Sequence, residues 1–144
     1  MNITKYAAIL ILLAGCADDV TGPGVPCTTT QADQDGEYTM ETEESSGDCG
    51  SLGTMEVSIE SGKVLPNDGL GCELDFSQWH EEACTTSSAW DCDDGTWKMR
   101  LEWTVTTDPA NPDNLLGNLN AVMDKWDGIY TCESEYIFTA VPKE

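Results

Sequence analysis

Residues 96–106 alternate without a break: Trp97, Met99, Leu101, Trp103 and Val105 take the odd positions, and Thr96, Lys98, Arg100, Glu102, Thr104 and Thr106 the even ones. A period of two places successive side chains on opposite faces of a strand. This stretch therefore predicts an antiparallel strand with its five apolar residues buried together and its other face in water. Residues 54–60 repeat the pattern, with Met55, Val57 and Ile59 against Thr54, Glu56, Ser58 and Glu60. Further strands are expected at 36–44, 72–77, 83–92, 117–125 and 129–141, separated by turn signals such as Ser61-Gly62, Asn67-Asp68-Gly69 and Asp108-Pro109. No stretch carries a convincing amphipathic helical period. The expected fold is all-β, a single antiparallel barrel or sandwich of about seven to eight strands, stapled by disulfides, over residues 35–144.

A short echo fits this pattern. Residues 35–43 and 127–135 share D-G-x-Y-T-x-E-x-E, and Asp94-Gly95-Thr96-Trp97 is a weaker third copy. Asp-Gly suits a hairpin turn, and the aromatic two residues on is expected to be a strand's first inward side chain, closing one end of the core. Recurrent hairpin geometry accounts for the echo without a duplication.

The chain opens with one charge, Lys5, then an apolar run from Tyr6 to Ala14, then Gly15-Cys16. That run is far shorter than the roughly 20 residues a membrane-spanning helix needs, and its layout is that of a signal peptide over residues 1–15. Leu13-Ala14-Gly15-Cys16 resembles the lipobox of bacterial lipoproteins. The resemblance implies that Cys16 is lipidated and becomes the first residue of an exported, membrane-anchored chain. Residues 16–34, rich in Gly, Pro and Asp, are read as the lipidated cysteine and a flexible linker. Ala17 stands where, in that family, an Asp would favour retention in the inner membrane, so the resemblance implies the outer membrane.

Seven cysteines are an odd number for an exported protein, and giving Cys16 to lipid leaves six. Cys27, Cys49, Cys72, Cys84, Cys92 and Cys132 are therefore expected to form three bridges. If 83–92 is one strand, Cys84 and Cys92 lie about 26 Å apart at about 3.3 Å per residue, too far for a bridge. Counting strands up and down a seven-strand meander then assigns Cys27–Cys72, Cys49–Cys84 and Cys92–Cys132. A zinc site is disfavoured, because no C-x-x-C pair occurs and His80 is the sole histidine.

All 27 acidic residues and five of the six basic ones lie beyond Cys16, so the chain from there carries 5 − 27, or −22. Such a surface repels nucleic acid and anionic lipid, and solubility is its plainest use. The segments 91–95 and 33–36 look superficially like calcium loops but lack the EF-hand spacing, and are read as tight turns. His80 would have to serve any Ser-His-Asp hydrolase, yet no G-x-S-x-G motif occurs and a loop histidine is the plainer reading. Carboxylates are too numerous for any pair to be singled out as a glycosidase centre. Of five tryptophans, Trp97 and Trp103 fall on the apolar face, and Trp79 and Trp126 remain as candidate exposed contacts; Trp90 is the fifth.

The order Gly36-x-Tyr38, the loop 47–50, Cys84 and Cys92 about a strand, Asp94-Gly95, and Cys132 with Tyr136 resembles a family of uncharacterised cysteine-containing bacterial lipoproteins with a small antiparallel β domain. That resemblance implies fold and address and no mechanism. The expected function is a non-catalytic binding role in the envelope, toward an unknown protein. No catalytic residue, metal or cofactor is expected. The alternatives are a lipocalin-like carrier of a small apolar ligand, which needs an apolar cavity, and an inhibitor of a cationic enzyme such as a lysozyme.

Overall fold

The computed structural model of the protein describes residues 27–66 and 68–144. The expected signal peptide, the lipidation of Cys16 and the linker as far as residue 26 lie outside the described residues, as does Asn67 of one turn signal.

Eight antiparallel strands form one nearly closed barrel: β1 (Gly36–Gly47), β2 (Thr54–Glu60), β3 (Lys63–Val64), β4 (Cys72–His80), β5 (Thr85–Asp93), β6 (Trp97–Thr107), β7 (Leu115–Lys125) and β8 (Thr131–Pro142). Their order in the sheet is β3-β2-β1-β8-β7-β6-β5-β4. Every sequence neighbour is thus a spatial neighbour except β3 and β4, and the ends of the chain meet through the β1–β8 ladder. Local pairing of this kind needs no crossover connection.

The alternation read from the sequence is expressed most cleanly in β8, where Cys132, Ser134, Tyr136, Phe138 and Ala140 are buried and the residues between them are exposed. The inner faces of β1, β2, β6, β7 and β8 meet in one cluster that includes Tyr38, Met40, Val57, Ile59, Trp103, Val105 and Leu119. Trp103 and Phe138 meet edge to face at 5.7 Å. Gly117 makes room for that ring, since a Cβ there would overlap Phe138 and the Thr104 carbonyl oxygen.

The burial expected for β6 holds at one end only. Trp103 and Val105 are buried, whereas Trp97, Met99 and Leu101 are half-buried. Elsewhere in the wall, β2 is paired with β3 only at Ile59 and Glu60, so beside Met55 and Val57 no further described strand continues the ladder on that side.

The barrel has two poles. At the near pole lie Cys27, the turn 61–62, the turn 81–84 and the loop 108–114; at the far pole lie the loops 48–53 and 65–71 and the hairpin turns 94–96 and 126–130. Residues 27–34, read from the sequence as the end of a linker, belong to the folded unit. Cys27 is bridged to Cys84, and Gln34, at the end of the 3-10 turn Gln31–Gln34, is fully buried.

The three bridges are Cys27–Cys84, Cys49–Cys132 and Cys72–Cys92, with Cα separations of 5.4, 5.1 and 3.9 Å. All six cysteines are paired and Cys84 is not joined to Cys92. The expected pairs Cys27–Cys72, Cys49–Cys84 and Cys92–Cys132 are overturned, and the two-residue strand β3 explains why. Omitting it reverses the direction of β1 and β2 relative to the rest, which places Cys27 and Cys49 at the wrong poles. With β3 counted, Cys27 and Cys84 share the near pole and the other four share the far one. Cys92 and Cys132 do stand at one level, through Met99 and Met123, but β6 and β7 lie between them. Adjacency then decides: Cys72 is opposite Cys92 in the β4–β5 ladder, and Cys49 follows β1, which borders β8.

Candidate functional site

The near pole is closed from inside by one side chain. Gln34 Nε2 donates to the Cys84 carbonyl at 3.0 Å and to Thr107 Oγ1 at 3.4 Å, and Gln34 Oε1 accepts from Thr86 Oγ1 at 3.1 Å. The turn glycine Gly62, at φ +67°, sits so close that a Cβ would overlap both Thr86 and Gln34. This is a satisfied polar plug. Gln34→Ala should cost about 1–3 kcal/mol, because the buried Thr86 hydroxyl would lose its acceptor, while the Cys84 carbonyl would keep only the Thr107 amide. Urea unfolding checks it.

Three of the far-pole connections, 48–53, 94–96 and 126–130, carry most of its cross-links. Residues 48–50 are lashed over the end of β8: the Asp48 amide donates to the Glu133 carbonyl, the Glu133 amide to Asp48 Oδ1, the Cys49 amide to Ser134 Oγ, and the Tyr136 hydroxyl to the Gly50 carbonyl at 2.7 Å. The turns 94–96 and 126–130 are laced together by the Trp126 amide, which donates to the Thr96 carbonyl at 2.9 Å. Around them Trp97 meets Tyr130 edge to face at 5.7 Å, and Lys98 Nζ lies 4.0 Å above the Trp126 ring. Trp126, Ile129 and Tyr130 are 56%, 86% and 47% exposed. This is an aromatic and apolar tip bearing a cation on an otherwise acidic molecule.

Trp126 is thus the exposed tryptophan that the sequence singled out, whereas Trp79 is half-buried on β4. Ile129 and Tyr130 were missed, having been read into a strand. The D-G-x-aromatic echo also divides. Tyr38 is buried as expected, Trp97 is half-buried, and Tyr130 precedes β8 and is exposed. The signal that would have found the tip is Trp126-Asp127-Gly128-Ile129-Tyr130 itself, three large side chains flanking one tight turn.

The turn carboxylates serve their own backbone. Asp94 Oδ1 accepts from the amides of Thr96 and Trp97, Asp127 Oδ1 from Ile129, Asp33 Oδ2 from Thr30 and Asp35 Oδ1 from Gly62. The calcium-loop lookalikes are accordingly turns. Asp48 lies with the sulfurs of Cys49 and Cys132, but those sulfurs are joined to each other and leave a single carboxylate as ligand. His80 is exposed at the near-pole end of β4.

Donation from the Trp126 indole at 3.0 Å, and then from the Gly95 amide, holds the Asp93 carboxyl below its ordinary range. A depressed pKa means that the contact stays formed above the ordinary aspartate value and is lost as pH falls through the lower folded one. The Trp126 indole N–H resonance should therefore hold its position down through the usual carboxylate range and move only below it. Movement centred within that range would contradict the contact.

Among the clefts on the outside of the wall, one of about 540 Å³ is lined by outward residues of β6, β7 and β8, including Glu102, Thr104, Asn118, Asn120 and Glu135. A second runs past Glu73, Asp91, Arg100 and Asp124, and a third past Glu41, Glu43 and Ile137. Among the described residues, no helix is long and apolar enough to cross a membrane. A scan against protein-family models, a search of curated proteins and a search of solved structures each found no match.

Proposed function

We propose that the protein is an exported lipoprotein, held by lipid on Cys16 in the outer membrane, whose barrel serves as a non-catalytic binding module. One observation carries the reading of how it would stand there. Cys27, only eleven residues after Cys16, is bridged to Cys84 at the near pole. The chain thus enters the barrel at the near pole, within about 40 Å of the anchor, and in this reading the near pole is turned toward the membrane and the tip with Trp126, Ile129 and Tyr130 away from it.

The barrel interior favours a binding surface over a carrier. Tyr38, Met40, Trp103, Tyr136 and Phe138 fill it as one packed cluster, whereas the clefts described above lie outside it and mix charged, polar and apolar side chains. Lipid supplies about 0.8 kcal/mol per buried methylene, so the anchor needs no apolar patch on the barrel, and the apolar tip is free for a partner. In fractionated cells Cys16→Ser should leave the membrane for the soluble fraction with the barrel still folded. Retention of the variant in the membrane would overturn the anchor.

A further inference from the structure

The sheet ends in β4, and β4 differs from every other long strand. Among the described residues it is paired with β5 alone, and none of its nine residues is buried. Leu74 is 43% and Phe76 44% exposed. They point to opposite sides, because the ladder puts Leu74 opposite Trp90 and, across a bulge, Phe76 opposite Ala89. β4 is therefore a wing, apolar on both faces, with one edge carrying no ladder among the described residues. Such edges recruit further strands unless something prevents it.

Two features limit what can be recruited. The bulge between Leu74 and Phe76 interrupts the first half, leaving Phe76–His80 as the regular stretch. Charge sets the chemistry. Residues 71–95 carry seven carboxylates and no Lys or Arg. The nearby Arg100 is occupied by Asp75, Asp91 and Glu102, each at 2.9 Å, and so ties the wing to the wall. A second copy of this chain would set one acidic stretch against another, with Arg100 already committed, so self-pairing is opposed where a basic strand is attracted.

We propose that Phe76–His80 accepts an extended segment of a partner protein, rich in Lys or Arg and with apolar residues between them, as a strand added to the sheet. Main-chain hydrogen bonds along the free edge supply affinity, Leu74 and Phe76 cover apolar side chains on either face, and Glu73, Glu81 and Glu82 select for positive charge. This surface lies on the wall, away from the tip, and does not depend on the lipid anchor.

The test uses the purified protein and a short alternating Lys–Val peptide, with hydrogen exchange followed along the chain. The peptide should slow exchange at amides within Phe76–His80. It should bind at least about tenfold more tightly than either an alternately N-methylated version, which keeps charge but cannot form the ladder, or an alternating Glu–Val version. Equal binding of the N-methylated peptide would reduce the effect to bulk charge and overturn the proposal. Protection confined to another segment, no binding at all, or protection of β4 that rises with protein concentration alone, as self-pairing requires, would each overturn it too.

Discussion

Trp103→Ala is expected to remove about 3–5 kcal/mol of stability, the usual cost of truncating a core aromatic. The indole is 6% exposed, stands across from Ser88 and Leu119 in the flanking ladders, and packs on Phe138 at 5.7 Å. Its ring nitrogen has no hydrogen-bond partner among the described residues, so the substitution removes packing without orphaning a polar group. Trp97→Ala, six residues earlier on the same face, should cost clearly less because Trp97 is only half-buried, at the end of β6 beside the exposed Tyr130. Urea midpoints at constant slope separate the two. A loss under about 1 kcal/mol at Trp103 would mean that this face is not the core.

The second large effect concerns the bridges. Removing Cys49–Cys132 by paired alanine substitution should cost about 2–5 kcal/mol, since that link ties the loop 48–53 over β8 across 83 residues of sequence. Removing Cys72–Cys92, which spans only 20 residues between neighbouring strands, should cost about 1 kcal/mol less, the difference in loop-closure entropy. Unfolding of the two double variants in parallel decides the order. A reversed order would show that the wing strand β4, and not the far-pole loop, is the element most in need of a staple.

Much of the barrel was legible because water on one side and core on the other impose a period of two. Residues 54–60 and 97–105 displayed it, and their strands stand where that period puts them. What escaped was whatever the period cannot encode. Lys63-Val64 is too short to show alternation, yet as a strand it decides which way β1 runs, and the cysteine pairing turned on it. Gln34 lies among Asp, Gln and Thr that read as linker, and only the three-dimensional neighbourhood of Thr86, Thr107 and Gly62 makes it a plug. β4 reads like any strand, with Leu74, Phe76 and Trp79 among polar residues, and nothing local says that it ends the sheet. The exposed tip was half visible: Trp126 stood out, while Ile129 and Tyr130 resembled the start of a buried strand.

Chemistry was least legible where residues were most abundant. Twenty-seven carboxylates conceal any pair that matters, and it took the fold to sort them into turn caps such as Asp94 and Asp127, the ion-pair cluster on Arg100, and the unbalanced acids beside β4.

Both the lipid anchor at Cys16 and the entry of the chain into the barrel at the near pole are tested together by non-reducing peptide mapping, by mass spectrometry, of the membrane-extracted protein. The predicted result is an N-terminal peptide that begins at a lipid-modified Cys16, with Cys27 linked to Cys84, Cys49 to Cys132 and Cys72 to Cys92. An unmodified Cys16, cleavage elsewhere, or Cys27 linked to any cysteine of the far pole would contradict it.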